Sequence, residues 1–324
     1  MENFNNWEID YEANYGGSDK KIGLKKNNER YMLKIADAIP DAKRNNLNSS
    51  YSNSPLSEYV SCKILKELGF PVQDVVYGEI TTSSKKYGER IKPTVACKNF
   101  VPKDMTMVDF KFICGAITDN KPGKIPKISE IYEVFSENIY FKTSESAQKA
   151  LDSYWDLFVI DSLLANFDRH GNNFAYFISK DGCSIQSTPI YDCGSCLFPQ
   201  ITDEAIEKMT DYQYEIQQRV DKFPTAALKL ENGNKANYKE YMLSLENEDL
   251  NKAIKRIVPR IHIEKIKEVV ESIEELSEIR KKFIIDILVN RYEKILLPAY
   301  TKVLEMENTK DQIVNEEYDQ EIDI

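Results

Sequence analysis

Apolar and polar residues alternate over much of the first hundred positions, and this pattern predicts mostly β-strands. Within residues 31–36, Tyr31, Leu33 and Ile35 fall on one face of a strand, as expected when a single face is buried. Lys34 lies on the opposite face, and the alternation does not explain its charge. Further extended segments are predicted at 72–80 and 92–101.

One helix is predicted among these strands. Ser54 is a suitable N-cap, and Pro55 suits the first helical position. An apolar series then runs from Leu56 to Leu68 at helical spacing, and Gly69 provides the stop. The N-terminal part is therefore expected to be a sheet with one helix.

From about residue 104 the pattern becomes helical. Residues 152–166 carry apolar side chains nearly all round, which is typical of a buried helix, yet Asp161 lies among them. A buried carboxylate is costly unless it is hydrogen-bonded, so Asp161 is expected to accept bonds from a neighbouring loop. Residues 203–303 predict further helices, with turns near Pro224, 232–237 and Pro259, and 305–324 predict a loose acidic tail.

A polar stretch, 166–173, separates the buried helix from a predicted hairpin. The hairpin has strands at 174–178 and 184–191 and a turn at 180–182, so residues that face each other across it sum to 363. This register places Asn173 opposite Ile190 and brings Asp192 close to Asn173.

Oxygen ligands from Asn173 and Asp192 predict a magnesium site at this end of the hairpin. Asp168 precedes Asn173 by five residues, a position from which it could orient a nucleophile beside the metal and accept its proton. The alternative is that the loop is only capping chemistry, with Asn166 as a helix cap and Asp168 in an Asx turn.

The spacing from Asp168 to Asn173 matches the D-x-x-x-x-N of a protein-kinase catalytic loop, and the sequence at 192–194 looks like a variant of the Asp-Phe-Gly metal motif. The whole string 161–173 resembles more specifically the HipA-like family of bacterial serine/threonine kinases, whose catalytic loop reads N-x-D-R-H-x-x-N. Asn166, Asp168, Arg169, His170 and Asn173 carry this match.

The resemblance implies roles for residues upstream. Lys34 resembles the strand lysine that grips the nucleotide phosphates, and Glu58 resembles its ion-pair partner. The segment 95–100, with Lys98 and Phe100, resembles the hinge that binds adenine. A phosphate-covering loop is implied at Gly16, Gly17 and Ser18, although its sequence is not G-x-G-x-x-G. Arg169 and His170 are expected to brace the catalytic loop.

The fold predicted in this way is α+β and two-lobed, like a protein kinase. It has a β-rich N-lobe with one helix at 1–100, a mainly helical C-lobe at 101–304 and the acidic tail at 305–324. The resemblance implies ATP and Mg²⁺ as cofactors, with transfer of the γ-phosphoryl group to a protein Ser or Thr and autophosphorylation. Within the family, the resemblance is strongest to a translocating kinase. This resemblance implies export to host cells.

Other readings stay open at this point. The acceptor could be a lipid or small-molecule hydroxyl, and the fold could bind ATP and a partner without turnover. Lys34 and Glu58 could be solvated surface charges, and Gly16 and Gly17 an ordinary turn. Cys193 and Cys196 form a C-x-x-C, but a redox pair would require a helix beginning at the cysteines.

The composition of the chain limits the classes of binding partner and metal site that are expected. The chain of 324 residues has a net charge of −10, which argues against a surface built to hold nucleic acid directly. Only two histidines leave little material for a zinc site, and six cysteines are too few for a secreted disulfide framework. With no signal peptide and no apolar run of about 20 residues, the chain is expected to be cytoplasmic as synthesised and without a membrane span.

Overall fold

The N-terminal part of the chain is a curled sheet. The computed structural model describes residues 1–13, 20–35, 53–84, 88–115, 125–138, 140–141, 143–180 and 184–322. Six strands lie in the spatial order β1-β5-β6-β4-β3-β2. Their bounds are β1 (Glu2–Asn3), β2 (Glu8–Ile9), β3 (Lys20–Lys26), β4 (Glu29–Ile35), β5 (Val75–Ser84) and β6 (Gly88–Lys98).

The alternation predicted for β4 is confirmed. Leu33 and Ile35 are buried on one face, where they pack with Phe4 and Trp7 from the short turn that follows β1. Lys34 lies on the other face. The two strands predicted at 72–80 and 92–101 are displaced, because β5 and β6 pair with each other from Val75 to Ser84 and from Gly88 to Lys98.

Helix α1 (Ser54–Glu67) is the predicted helix, with a small shift at its start. Its N-cap is Asn53 rather than Ser54, and the Ser54 hydroxyl instead donates to the carbonyl of Gly194 at 3.0 Å. Gly69 follows the helix with φ +74°, a left-handed conformation that glycine adopts without strain. The helix packs on β5, β6 and α9 (Ile263–Ser272).

The C-terminal part is mainly helical and shares one core with α1. Val60 and Ile64 of α1 join a cluster that contains Trp155, Leu163 and Ile254, all of them almost fully buried. The other helices are α2 (Phe110–Gly115), α3 (Ile128–Glu137), α4 (Ser144–Leu164), α5 (Asp203–Glu207), α6 (Tyr212–Asp221), α7 (Tyr238–Ser244), α8 (Glu248–Ile257), α10 (Glu278–Arg291) and α11 (Leu297–Ile322).

A three-stranded sheet lies between these helices. It has the order β7-β8-β9, with β7 (Met105–Asp109), β8 (Ala175–Ser179) and β9 (Ile185–Ser187). Its register confirms the predicted sum of 363, since Tyr176 faces Ser187 and Ile178 faces Ile185. The returning strand ends at Ser187, however, and Ile190 forms a bridge with Val72 instead of Asn173. The predicted turn residues, Asp181 and Gly182, lie outside the described residues.

Three other expectations were wrong. β7 occupies a stretch that was predicted to be helical. A second hairpin, β10 (Thr225–Lys229) and β11 (Lys235–Asn237), occurs where only helices and turns were expected. The acidic segment was expected to have no regular structure, but its backbone continues helix α11 as far as Ile322.

No helix in the described residues is both long enough and apolar enough to cross a bilayer.

Candidate functional site

The ammonium group of Lys34 joins the two parts of the molecule. Its Nζ lies 2.9 Å from Glu58 Oε2 on α1 and 2.8 Å from Asp192 Oδ1 in the turn after the three-stranded sheet. Glu58 is fully buried, and the Lys34 side chain is 11% exposed. The structure therefore brings together three of the residues that sequence reasoning selected, from a strand, a helix and a distant turn.

Burial and charge compete at this ion cluster. Burial alone would lower the pKa of Lys34, but the carboxylates of Glu58 and Asp192 outweigh it and hold that pKa well above its usual value. Burial raises the pKa of Glu58 despite Lys34, whereas at Asp192 the nearby Lys34 outweighs burial and lowers the pKa. Lys34 and Asp192 are therefore charged at neutral pH.

Gly194 allows α1 to approach this turn. A Cβ atom at residue 194 would lie 2.5 Å from the Ser54 hydroxyl oxygen and 3.2 Å from Glu58 Oε2, so a larger residue would push the helix away. Ser57 holds the same turn by donating from its hydroxyl to the carbonyl of Cys196 at 2.9 Å. The glycine of the variant metal motif is thus required by the position of Glu58.

The end of α4 holds the predicted catalytic loop. Asp161 is 1% exposed and accepts hydrogen bonds from Asn166 Nδ2 at 2.9 Å and from Arg169 Nε and Nη2 at 2.9 and 3.0 Å. The prediction that a neighbouring loop would satisfy this buried carboxylate is confirmed. Asn166 Oδ1 in turn accepts from the backbone N–H of Asp168 at 3.0 Å, which fixes the start of the loop.

Arg169 also links two segments that the sequence predicted to pair as strands. Its Nη1 donates to the carbonyl oxygens of Asn173 at 2.6 Å and Tyr191 at 2.5 Å. One guanidinium therefore holds the residue before Asp192 beside Asn173, where the β-ladder has already ended. Sequence reasoning placed Arg169 as a brace but did not foresee this link between the two predicted metal ligands.

The carboxylate of Asp168 faces solvent at the edge of this loop. Its side chain is 47% exposed, and His170 Nε2 lies 3.8 Å away. Partial burial raises the pKa of Asp168, and the charge of Asp192 acts in the same direction against the effect of His170. The Asn173 amide donates to the backbone carbonyl of Asp168 at 2.7 Å, so this contact does not occupy the Asp168 carboxylate.

The donor set at Asn173 and Asp192 fits magnesium. Because the Asn173 nitrogen is bonded to the Asp168 carbonyl, its amide oxygen is directed elsewhere. Asp192 Oδ1 holds Lys34, while Oδ2 makes no hydrogen bond or ion pair with the described part of the chain. One carboxylate and one amide oxygen are the few protein ligands that Mg²⁺ takes when phosphate oxygens complete its shell.

Strain accompanies this arrangement. Asp192 has φ +56°, a left-handed conformation that is uncommon for a residue with a side chain. Such conformations cost of order 1–3 kcal/mol each and persist where the surrounding structure enforces them. Here the ion pair with Lys34 and the bond from Arg169 to the Tyr191 carbonyl hold the backbone in place.

The predicted nucleotide-binding segments are only partly described. Gly16, Gly17 and Ser18 lie outside the described residues. The Lys98 backbone is already engaged, since its N–H donates to the Asp74 carbonyl and its own carbonyl accepts from Gln73. The ring of Phe100 packs near Phe177 and Tyr191, with centroids 6.0 and 5.6 Å apart, and so lies beside the turn that carries Asp192.

The cysteines near this turn are buried and reduced. Cys193 and Cys196 are followed by no helix within the next residues, so the frame that a thioredoxin-like pair requires is missing from this segment. Arg169 Nη2 lies 3.7 Å from Cys193 Sγ. Both cysteines therefore act here as small packing residues.

Tyr238 is a supporting residue that sequence reasoning missed. Its ring is buried, and its hydroxyl donates to the carbonyl of Asn166 at 2.8 Å from a position 72 residues away in sequence. No local pattern around Tyr238 distinguishes it from an ordinary core tyrosine.

Tyr238→Phe is expected to lower the free energy of unfolding by about 1–2 kcal/mol, because it leaves the Asn166 carbonyl buried and unpaired. Urea denaturation measures this change. Tyr214→Phe is the matched control, since Tyr214 is 55% exposed. Equal stabilities of the two variants would show that the buried bond contributes nothing.

The assembled site presents the Lys34 cation held by two carboxylates, the predicted metal ligands Asn173 and Asp192 linked through Arg169, and the half-exposed carboxylate of Asp168. Comparison with known proteins agrees with this chemistry. A family model described as the HipA-like C-terminal domain matches residues 13–276. The serine/threonine-protein kinase CtkA of Helicobacter pylori (strain J99) is 33% identical over 320 residues, which cover 98% of this chain and 93% of that protein.

A solved structure extends the likeness to three dimensions. The crystal structure of the Helicobacter pylori proinflammatory kinase CtkA superposes with a TM-score of 0.80 and 33% identity, covering 94% of this chain and 98% of that one. The predicted α+β, two-lobed, kinase-like fold is therefore confirmed.

Proposed function

Because this chain belongs to the family defined by the HipA-like C-terminal domain, we propose that it is a serine/threonine protein kinase that uses ATP and Mg²⁺. It would transfer the γ-phosphoryl group of ATP to a hydroxyl of a protein, including hydroxyls of its own chain. The family and the related kinase support phosphoryl transfer, and the site geometry supports the assignment of individual residues.

The observation that carries this proposal is the ion cluster of Lys34, Glu58 and Asp192. A buried lysine held between two carboxylates is a costly arrangement, and it fixes a positive charge beside Asp192, where the phosphates of a metal-bound nucleotide would lie. The capping alternative for the 166–173 loop gives no reason for this cluster, since its members come from three separate elements.

Each residue then has a role in positioning and charge stabilisation. Lys34 would bind the α- and β-phosphates, and Glu58 would keep the lysine in place. Asp168 would orient the acceptor hydroxyl and take its proton, for which a half-exposed carboxylate with a raised pKa is suited. Asn173 and Asp192 would hold Mg²⁺, which supplies positive charge to the phosphate oxygens when it is bound.

The loop around Asp168 is pre-organised. Asn166, Arg169 and Tyr238 fix its backbone through buried hydrogen bonds. Because these bonds exist before any substrate binds, little reorganisation is needed at the moment of transfer.

The test is transfer of label from γ-labelled ATP in the presence of Mg²⁺, with and without casein as a generic protein acceptor. Asp168→Asn is expected to reduce transfer about 10³-fold while nucleotide binding persists, because only the proton acceptor is lost. Asp104→Asn is the control, since Asp104 is exposed and belongs neither to the ion cluster of Lys34 nor to the 166–173 loop.

Two outcomes would reject the proposal. If the wild-type protein binds ATP but labels neither itself nor casein, the chain is an ATP-binding module without turnover. If label passes only to a lipid or metabolite, the acceptor class is wrong. Export from the cell, and the absence of a nucleic-acid partner, stay predictions.

A further inference from the structure

A groove of about 620 Å³ lies on the C-lobe, and the residues that line it follow Asp192 in the sequence. We name it the 198–223 groove. Its lining includes Phe198 and Ile201 before α5, Met209 just after α5, Arg219 in α6 and Phe223 just after α6. This groove is separate from the ion cluster around Lys34.

Aromatic rings connect the groove to the proposed catalytic loop. Phe223 is 43% exposed at the groove, and its ring stacks on Phe167 with centroids 6.1 Å apart. Phe167 directly precedes Asp168. Phe198 completes the row at 5.9 Å from Phe223. A ligand that covers Phe223 would therefore lie next to the carboxylate that is proposed to act on the acceptor hydroxyl.

The charge of the groove is opposite to that of the whole chain. Its lining includes three cations, Lys208, Arg219 and Lys222, and one carboxylate, Glu215, in a protein whose net charge is −10. Glu215 is paired with Arg219 at 2.5 Å. Lys208 and Lys222 are exposed, and neither forms an ion pair within the described residues. The two free ammonium groups favour an acidic ligand.

The place of the groove favours a polypeptide as the acidic ligand. Phe223 reaches the loop of Asp168 through the ring of Phe167, and the proposed substrate at that loop is a protein hydroxyl. The residues on either side of an acceptor serine or threonine would then extend along the groove, where Lys208 and Lys222 are exposed.

We propose that the 198–223 groove binds the acceptor polypeptide, and that it selects a segment with acidic residues and an apolar residue next to the reacting serine or threonine. This inference rests on the proposed kinase function and adds to it the site and the chemical class of the substrate. The apolar residue packs on the exposed ring of Phe223, and the acidic residues lie against Lys208 and Lys222.

The test is binding, measured by fluorescence polarisation on the full chain with a non-hydrolysable ATP analogue and Mg²⁺ present. The probes are a fluorescein-labelled acidic peptide with one serine, two leucines and flanking glutamates, and its basic twin with lysines in place of the glutamates. A labelled single-stranded oligonucleotide is the third probe. The variant carries Lys208→Glu and Lys222→Glu, and the control carries Lys265→Glu and Lys302→Glu, two exposed lysines elsewhere.

The wild-type protein and the control are expected to bind the acidic peptide about tenfold more tightly than its basic twin, and the groove variant is expected to lose that preference. Phe223→Ala is expected to weaken both peptides, because both carry the leucines. Equal binding of the two peptides to the wild type, an unchanged preference in the groove variant, or tighter binding of the oligonucleotide would overturn the proposal.

The binding result does not depend on turnover. If the acidic peptide binds as expected but no label is transferred to it or to casein, the groove proposal is supported and the proposed kinase function is rejected. If casein is labelled and the groove variant binds and labels as the control does, the kinase function stands and the groove proposal fails.

Discussion

Lys34→Met is expected to reduce phosphoryl transfer by about 10²- to 10³-fold, because it removes the cation that contacts both Glu58 and Asp192. Methionine keeps most of the volume of the lysine stem, so the packing of β4 against α1 is preserved. The loss would come from the missing charge at the phosphates. Transfer from labelled ATP to casein measures it, with Lys63→Met on the exposed side of α1 as the control.

The same change is expected to destabilise the fold in a pH-dependent way. Breaking a buried ion pair by removing one partner costs about 3 kcal/mol, since it leaves carboxylates unpaired. Burial already raises the pKa of Glu58, and without Lys34 the folded chain would bind that proton more tightly still. The stability contributed by protonated Glu58 is present at low pH and is lost as pH rises above about 4.3, the pKa of an unfolded glutamate.

Asp192 also makes the variant less stable than the wild type at higher pH. Its pKa is lowered in the wild type because of Lys34, so its ionised form contributes stability at higher pH that the variant lacks. The gap in free energy of unfolding between wild type and Lys34→Met should therefore widen as pH rises from below about 3.9, the pKa of an unfolded aspartate, because the folded variant keeps carboxyl protons that the folded wild type has already released. Urea denaturation at several pH values measures it. A gap that is independent of pH would show that the carboxylates do not depend on Lys34.

The polarity of single positions predicted much of the site. Lys34 was identified because it interrupts an apolar pattern, and Asp161 because it lies within a buried helix. Both anomalies have a structural cause, since each charge is held by a specific partner. That Lys34 would meet Glu58 and Asp192 followed from the family resemblance, because no spacing rule connects three residues from different elements.

Tertiary contacts explain what the sequence did not predict. The segment 225–229 has good helix formers, and it becomes a strand through its pairing with 235–237 and a bridge to Lys127. The hairpin register was correct, but its length was not, because Arg169 replaces the ladder beyond Ser187. The 198–223 groove is formed by elements that no local motif marks.

Arg169→Met is expected to give the largest loss of stability, about 3–5 kcal/mol, together with loss of transfer. The substitution removes the two hydrogen bonds that Arg169 donates to the Asp161 carboxylate. It also leaves the backbone carbonyls of Asn173 and Tyr191 without the donor that Arg169 provides. Burial would lower the pKa of Arg169, but Asp161 outweighs it and raises that pKa, so the pair is charged. Asn173 and Asp192 would no longer be held side by side.

Arg291→Met is a matched comparison. Arg291 is as deeply buried and donates to the carbonyls of Ser162 and Arg219, but no carboxylate in the described part of the chain pairs with it, and burial lowers its pKa to about 10. Replacing Arg291 removes a buried charge and leaves no other buried charge without its partner. We therefore expect Arg291→Met to cost less than half as much as Arg169→Met in urea denaturation.

A double-mutant cycle separates the charge of Asp161 from the packing of the loop. Asp161→Asn should destabilise the wild type, because Arg169 loses its carboxylate, yet it should stabilise the Arg169→Met protein by about 2 kcal/mol, because no unpaired charge then remains buried. Transfer should stay lost in the double variant, since neither residue can hold Asn173 beside Tyr191. Additive effects of the two substitutions on unfolding would mean that Asp161 and Arg169 act independently, and recovered transfer would mean that the loop keeps its shape without them.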